Sequence, residues 1–418
     1  MHRLICISLC LVFTTLFGCT AFYQPSEQEK RTVDELTTNM RTWALGRGLI
    51  DLPESWENKG ADVKLYYGLT ADHSTVEVRV LGEAVSQKRF DDALEERSAR
   101  IAAKKNHEQL DVPMLVSAQP VTQQSRLLQY YKSEFQPENF THELHILIDD
   151  VYVMLRADSY NGKIAPVEAR LTKLATQIFK VNPLNAGSGF AMGPIVIRGD
   201  HDQEIATFYF GPPASDVSLE VYVNALSPSE TDNMQAGIKA DAGVFLAGDY
   251  ENLRGRSITL ADMRAEEALI AFSDDTHRQI LFISENYRDT PSLSQPSMHL
   301  RMTAGGMKGT PSDPGKPKDL VRWSLPSFAR KGYDLPLWQR PARQAPVNPS
   351  LTDYEAMAVW DAILKTVRIR FGAVPPPKPD PFYSVIVPSD EEIAEGKRVL
   401  DEFLATGPDG KPWKPEGW

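Results

Sequence analysis

Beyond residue 19 the chain contains no cysteine: Cys6, Cys10 and Cys19 are its only three. That distribution excludes a disulfide framework, a thiol nucleophile and a cysteine metal site from the remaining length. Long hydrophobic runs are also absent after the first eighteen residues, so no later segment of the sequence spans a bilayer as a helix. Positive charge is scarce. The 45 Lys and Arg against 56 Asp and Glu leave a net charge of -11, which argues against nucleic acid and against a basic membrane-binding face. No P-loop, dinucleotide fingerprint or metal-ligand constellation occurs.

Several near misses define what the chain does not do. Gly187-Ser188-Gly189 lacks the outer glycines of a nucleophile elbow, because Ala186 and Phe190 stand where they are needed, and reads as a flexible interdomain turn. His142-Glu143-Leu144-His145 is one residue short of the zinc-protease spacing. Its alternation is that of a strand, which sends His142 and His145 to opposite faces. Asp200-His201-Asp202 reads as a polar turn between strands. Asp149-Asp150 and Asp274-Asp275 sit where hairpin turns are expected, and aspartate is a favoured turn residue. The expectation is no catalytic residue, no cofactor, no metal and no small-molecule substrate; the chain is not read as an enzyme.

What is present begins with a targeting signal. Arg3 followed by the apolar run Leu4 to Phe17 reads as a secretory signal, and Leu16-Phe17-Gly18-Cys19 is close to a lipoprotein cleavage box. Gly18 is the small residue the peptidase needs, and Phe17 is bulkier than usual. The expectation is lipidation at Cys19 and a periplasmic location at the outer membrane, which Thr20 favours over the inner one. An acylated Cys19 makes a stable anchor.

An apolar fraction of 42% is enough for a buried core in a chain of 418 residues. Residues 1–18 are the signal and 19–39 a lipidated, polar tether. Trp43 to Leu52 reads as an extended segment stopped by Pro53, with strands at Val63 to Leu69 and Thr75 to Leu81. A helix is expected over Lys88 to Lys104, burying Phe90, Leu94 and Ile101. A hairpin joins His142–Ile148 to Val151–Ala157, and Leu171, Leu174, Ala175 and Ile178 give a helical stripe after Pro166.

The second half repeats the plan of the first. Gly46, an Ile50-centred strand and LYYG at Leu65 to Gly68 correspond to Gly193, the strand residues Ile195 and Ile197, and FYFG at Phe208 to Gly211. Each half closes on a helix, the second over Leu351 to Arg370. That helix opens with Thr352 and Glu355 at capping-box spacing and carries Met357, Trp360, Ile363, Leu364, Val367 and Phe371 on one apolar face. Chance recurrence of strand-turn-strand patterns is the alternative to duplication. The expected fold class is α+β: two related domains, 40–183 and 184–372, each mainly antiparallel strands packed with helices. A Pro-rich tail, 373–418, carries one short helix from Ser389. Partner-binding candidates, chosen from exposure-prone composition, are Asp274, Asp275, Tyr333 and Trp338.

Five motifs in order, GRGLIDLP at Gly46 to Pro53, GFAMGPIVIRGD at Gly189 to Asp200, LRGRSITLADMRAEEAL at Leu253 to Leu269, PSMHLRMTAG at Pro296 to Gly305 and SLTDYEAMAVWDAILKTVRIR at Ser350 to Arg370, carry a resemblance. Together they resemble the periplasmic immunity proteins that protect bacteria against type VI-secreted lipases of the fourth group. Residues 110–141 and the tail after Phe371 depart from the pattern. The resemblance implies a two-domain inhibitor that binds its cognate lipase in the periplasm at equimolar ratio, occluding it without chemistry. An envelope lipoprotein that binds or chaperones another secreted or outer-membrane protein is the alternative.

Overall fold

The structure, a computed structural model, describes residues 23–67, 74–108, 111–160, 163–185, 187–199, 201, 203–213, 215–225, 250–273, 277–286, 291–306, 347–374, 394, 397 and 398. The chain divides into two compact units, Met1–Val374 and Pro375–Trp418, and every element below belongs to the first.

Among the described residues, antiparallel strands and four α-helices build that unit, the α+β class expected. The first half comprises α1 (Glu27–Thr38), β1 (Met40–Leu45), β2 (Gly48–Pro53), β3 (Glu57–Tyr67), β4 (Ser74–Gly82) and α2 (Gln87–Ala102). It continues with β5 (Lys105–Asn106), β6 (Val112–Pro113), β7 (Leu115–Thr122), β8 (Ser125–Ser133), β9 (Gln136–Ile148), β10 (Val151–Ser159), α3 (Ile164–Ala175) and β11 (Ile178–Lys180). The second half comprises β12 (Phe190–Met192), β13 (Ile195–Ile197), β14 (Gln203–Gly211), β15 (Val217–Asn224) and β16 (Tyr250–Leu260). After it come β17 (Met263–Ser273), β18 (Arg278–Asn286), β19 (Ser297–Gly305), α4 (Asp353–Leu364) and β20 (Arg368–Ile369).

One sheet of twelve strands runs through both halves in the order β16-β17-β18-β19-β15-β14-β3-β4-β10-β9-β8-β7. Outward from the central β3–β14 pair, each side repeats one sequence of strands. The first half gives β3, β4, β10, β9, β8, β7, and the second gives β14, β15, β19, β18, β17, β16. This is the repeat seen in the sequence, now carried by topology. The two halves also exchange their last strands. β11, which closes the first half, pairs with β13 of the second; β20, which closes the second, pairs with β2 of the first. Each small three-stranded sheet therefore contains chain from both halves.

The local chemistry explains these elements. Trp43 to Leu52 is not one extended segment but the β1–β2 hairpin, with Leu45 opposite Gly48. Gly46 turns the chain at φ +61, a left-handed value that glycine adopts without strain. Gly193 does the same at φ +55 between Met192 and Ile195. Asp149, at φ 55, turns β9 into β10.

α3 and α4 bury Leu171, Leu174, Val359, Trp360 and Ile363 in one core with Val63, Val78, Phe208, Val221, Leu300 and Phe282 of the large sheet. Each such side chain contributes about 1.5–3 kcal/mol by leaving water. α2 covers the opposite face of the first half, where Phe90 and Leu94 meet Leu147 and Tyr152.

Two helical readings stop short. α3 ends at Ala175, and Ile178 stays in the core as a strand residue of β11. α4 spans only Asp353–Leu364, so Phe371 does not lie on its buried face. In both places the strand exchange overrides the continuing helical period.

Ser26 and Glu29 form a capping box for α1, which is a docked helix within the segment expected as a tether. Glu29 also accepts from Thr352 at 2.8 Å and from the Tyr23 hydroxyl. The Tyr23 bond, then those from Ser26 and Thr352, hold its carboxyl down at about 2. Asp353–Leu364 begins with the expected Thr352–Glu355 box.

Candidate partner-binding surface

The seam between the halves is built from the hairpin turn at Gly46-Arg47, the start of β14 and the four residues after β20. Gly46 and Ala191 donate backbone hydrogen bonds to one another, each 2.9 Å long. Arg47, only 5% exposed, donates from Nε to Glu204 Oε1 at 3.0 Å and from Nη1 to the Ala373 carbonyl at 2.6 Å. Glu204 Oε2 lies 2.8 Å from His201 Nε2, and the Tyr67 ring sits edge-on to His201. A buried arginine–carboxylate–imidazole cluster thus joins residues that are more than 150 positions apart.

Arg370 fastens the other side. Its backbone N–H donates to the Arg47 carbonyl at 2.8 Å, and its guanidinium donates to the carbonyls of Gly187 and Gly189 at 2.5 and 2.6 Å. The Gly187–Gly189 turn, expected to be flexible, is held by these bonds. Ser188 is exposed on it.

A polar ribbon crosses the middle of the large sheet on the face opposite α3 and α4. Glu220 alternates with the core residues Leu219 and Val221 and stands opposite Tyr209 on β14 and Arg301 on β19. Burial pushes the Glu220 carboxyl up to about 7, against the pull of Arg301 and with a small push from Asp62. Burial, then Arg301, lowers the His299 imidazole to about 4. Arg79 reaches Asp62 at 3.5 Å, while Lys64 and Arg156 approach Glu77 at 4.0 and 3.9 Å. These side chains are half-buried and of both signs, a surface suited to a polar partner rather than to lipid.

Two motifs of the resemblance meet at Glu267. This fully buried carboxylate accepts from Arg254 Nε at 2.7 Å, Arg256 Nε at 3.0 Å and Trp360 Nε1 at 3.0 Å. Asp361 binds the same two arginines. The cluster clamps α4 to β16 and β17, so these motif residues hold the fold together.

Of the site residues read from sequence, Cys19, Asp274, Asp275, Tyr333 and Trp338 all lie outside the described residues, as does most of the helix expected from Ser389. His142 and His145 are buried on opposite faces of β9, as the alternation predicted. His142 Nε2 lies 2.8 Å from Ser159 Oγ, and burial lowers its proton affinity against the pull of Glu168. His145 lies 2.8 Å from the Tyr152 hydroxyl and 3.2 Å from Glu143. Burial opposes ionisation of Glu143, but hydrogen bonds from His145 and Arg97 hold its carboxyl well below the usual range.

Among the described residues no group of three or more His, Cys, Asp and Glu could hold a metal ion, and no helix is long and apolar enough to cross a membrane. Sequence reasoning missed the Arg47–Glu204–His201 cluster and the exposure of Phe371. The repeated turn glycines were the signal that could have brought Arg47 and the segment after Gly193 together.

Profiles for the two domains of one family match the sequence: the Tle cognate immunity protein 4 N-terminal domain over residues 41–172 and its C-terminal domain over residues 183–323. None of the curated proteins matches it. Among solved structures, a chain of the crystal structure of the Tle4-Tli4 complex is similar at 17% identity and a TM-score of 0.54, over 81% of this chain and 99% of that one. The apo structure of the immunity protein TplEi of T6SS from Pseudomonas aeruginosa is similar at 16% identity and a TM-score of 0.53, over 80% and 98%. TplEi complexed with "L" peptide gives 17%, 0.51, 80% and 99%. At these identities the likeness is one of fold.

Proposed function

Because this chain belongs to the Tle cognate immunity protein 4 family, we propose that it binds a type VI-secreted lipase effector and inhibits it, protecting the producing cell. The observation that carries this reading is the match to both domains of the family, in order, across most of the chain. The fold likeness to the immunity protein TplEi over 98% of its length supports it.

Inhibition works by occlusion. The buried ionic clusters at Glu204 and Glu267 hold elements together, and a folded surface that covers an active-site mouth needs no chemistry of its own. Both halves contribute to one continuous sheet and to a shared seam, so a partner seated there meets a single rigid body rather than two hinged ones. A standard interface of about 1,600 Å² is within reach of such a surface.

The protein acts in the periplasm, held at the outer membrane through acylated Cys19. α1 docks on the body from Glu27 onward, leaving only a few residues between that cysteine and the fold. Eight residue steps separate Cys19 from Glu27, so the body would then lie within about 29 Å of the acylated residue, since a chain extends at most about 3.6 Å per residue.

The test is complex formation. Chain from Thr20 onward, mixed with the cognate lipase and analysed by size exclusion with light scattering, is expected to elute as a one-to-one complex. Separate elution at micromolar concentration would contradict the reading.

A further inference from the structure

Tyr23 is 65% exposed, yet both its hydroxyl and its ring are held to the body. The hydroxyl donates to Glu29, and the ring lies against that of Tyr354 with the centroids 6.0 Å apart. Glu29 is itself the meeting point of two helix starts. It closes the capping box of α1 with Ser26 and accepts from Thr352, the cap of α4, at 2.8 Å. The bond from Tyr23 to Glu29 also keeps the phenol proton in place, pushing its pKa up to about 12. The chain is thus fastened to the fold at Tyr23, four residues before α1 begins.

That point is four residue steps from Cys19, against eight for the start of α1. Four steps reach at most about 14 Å. A cysteine with its acyl chains in hydrocarbon has its backbone at headgroup level, and the headgroup layer is itself about 5–8 Å deep. The large sheet, by contrast, is about 50 Å across its twelve strands. A body of that width on so short a link cannot turn any side to the membrane; the end carrying Tyr23 stays next to it. With Cys19 acylated, the surface that comes within reach of Tyr23 on every molecule is lipid.

Tyr23, Gln24, Ser26 and Gln28 are exposed at this end, and Tyr354 is half-buried beside Tyr23. Tyrosine is favoured at membrane interfaces, where its ring meets the apolar boundary while its hydroxyl stays hydrogen-bonded. Charge adds little, since Lys30 is paired with Glu27 at 2.7 Å and Asp353 faces the same end as Arg31. We propose that the Tyr23–Glu29 latch makes the α1–α4 end the membrane-facing side of the protein, with the Tyr23 ring in the headgroup layer of the phospholipid surface that holds Cys19. The acyl chains supply the attachment and the latch supplies its direction. The inference rests on the Cys19 anchor proposed above and assigns an orientation to it.

Cys19 is the last cysteine of the chain, so once it is acylated an introduced cysteine is the single free thiol. Full acylated chain carrying Gln28→Cys or Glu96→Cys is labelled there with a fluorophore and reconstituted into vesicles of phosphatidylethanolamine and phosphatidylglycerol. A fraction of the lipids carries a nitroxide quencher on the headgroup. Gln28 is exposed in the first turn of α1, and Glu96 is exposed on α2, across the large sheet from the core that α4 enters. The label at 28 is expected to lose most of its emission and the label at 96 to keep most of it. Adding Tyr23→Ala to the Gln28→Cys chain moves the fastening point back to Ser26, seven steps and about 25 Å from Cys19, so quenching at 28 is expected to fall.

If the chain floats with the vesicles but the two labels are quenched alike, or the one at 96 more strongly, the orientation is wrong while the anchor stands. Quenching at 28 that Tyr23→Ala leaves unchanged would show that the latch does not set the direction, and would overturn the inference. If the acylated chain without substitutions does not float with the vesicles, the anchor and the orientation fall together.

Discussion

Gly46 lies against the ring of Phe190: a Cβ placed on the glycine would come 2.5 Å from the ring carbon Cε2. The two residues belong to the two halves and to two motifs that read alike in the sequence. Gly46 also adopts φ +61. Gly46→Ala thus meets a clash and a strained backbone together, and is expected to cost about 2–4 kcal/mol. Gly193→Ala, its counterpart at φ +55, meets nothing nearer than Glu83 Oε1 at 3.7 Å. It should cost about 1–2 kcal/mol, the backbone strain alone. Urea unfolding of the two variants measures the difference, and equal losses would show that the seam is looser than described.

The Arg47–Glu204 pair gives a second prediction. Glu204→Ala leaves Arg47 buried without its carboxylate, which is expected to cost about 3–5 kcal/mol. The double change Arg47→Met with Glu204→Leu removes both charges and should recover a large part of that loss. A double-mutant cycle by chemical denaturation reads the coupling, and additive losses would contradict it.

Glu220 makes stability depend on pH. Burial raises its folded carboxyl to about 7, above the 4.5 usual for a glutamate in water. A raised acid favours the protonated form, so its contribution is fully present below about pH 4.5 and is lost as pH rises through 7. Glu220→Gln cannot ionise and escapes that loss. The variant is expected to be more stable than the parent at pH 8, on the order of 2 kcal/mol, and close to it at pH 4. Thermal melts across that range check the sign.

Cys19→Ser removes the proposed acylation site. The variant should move from the membrane fraction to the soluble periplasm while keeping its affinity for the lipase in solution. An unchanged membrane fraction would exclude lipidation at that residue.

Local chemistry was legible where a short stretch decides its own structure. Thr352 and Glu355 announced the start of α4, Asp149 its hairpin, and the alternation around His142 and His145 their opposite faces. The repeat around Gly46 and Gly193 was visible as well.

Partners far apart in sequence were hidden. Nothing near Arg47 names Glu204, and nothing in the helical period of Leu171 to Ile178 says that the chain leaves the helix to pair with β13. Phe371 was placed on a buried face for the same reason: the spacing continues past Leu364, but pairing of β20 with β2 ends the helix and turns the ring outward. The candidates Asp274, Asp275, Tyr333 and Trp338 came from composition, which carries no information about which surface a fold presents.

Inhibition itself is the most direct test. Soluble chain from Thr20 onward is titrated into a fixed amount of the cognate secreted lipase while phospholipid hydrolysis is followed. The account predicts a linear fall in rate that reaches its floor near one equivalent, without turnover of the inhibitor. Hydrolysis undiminished at molar excess would contradict it.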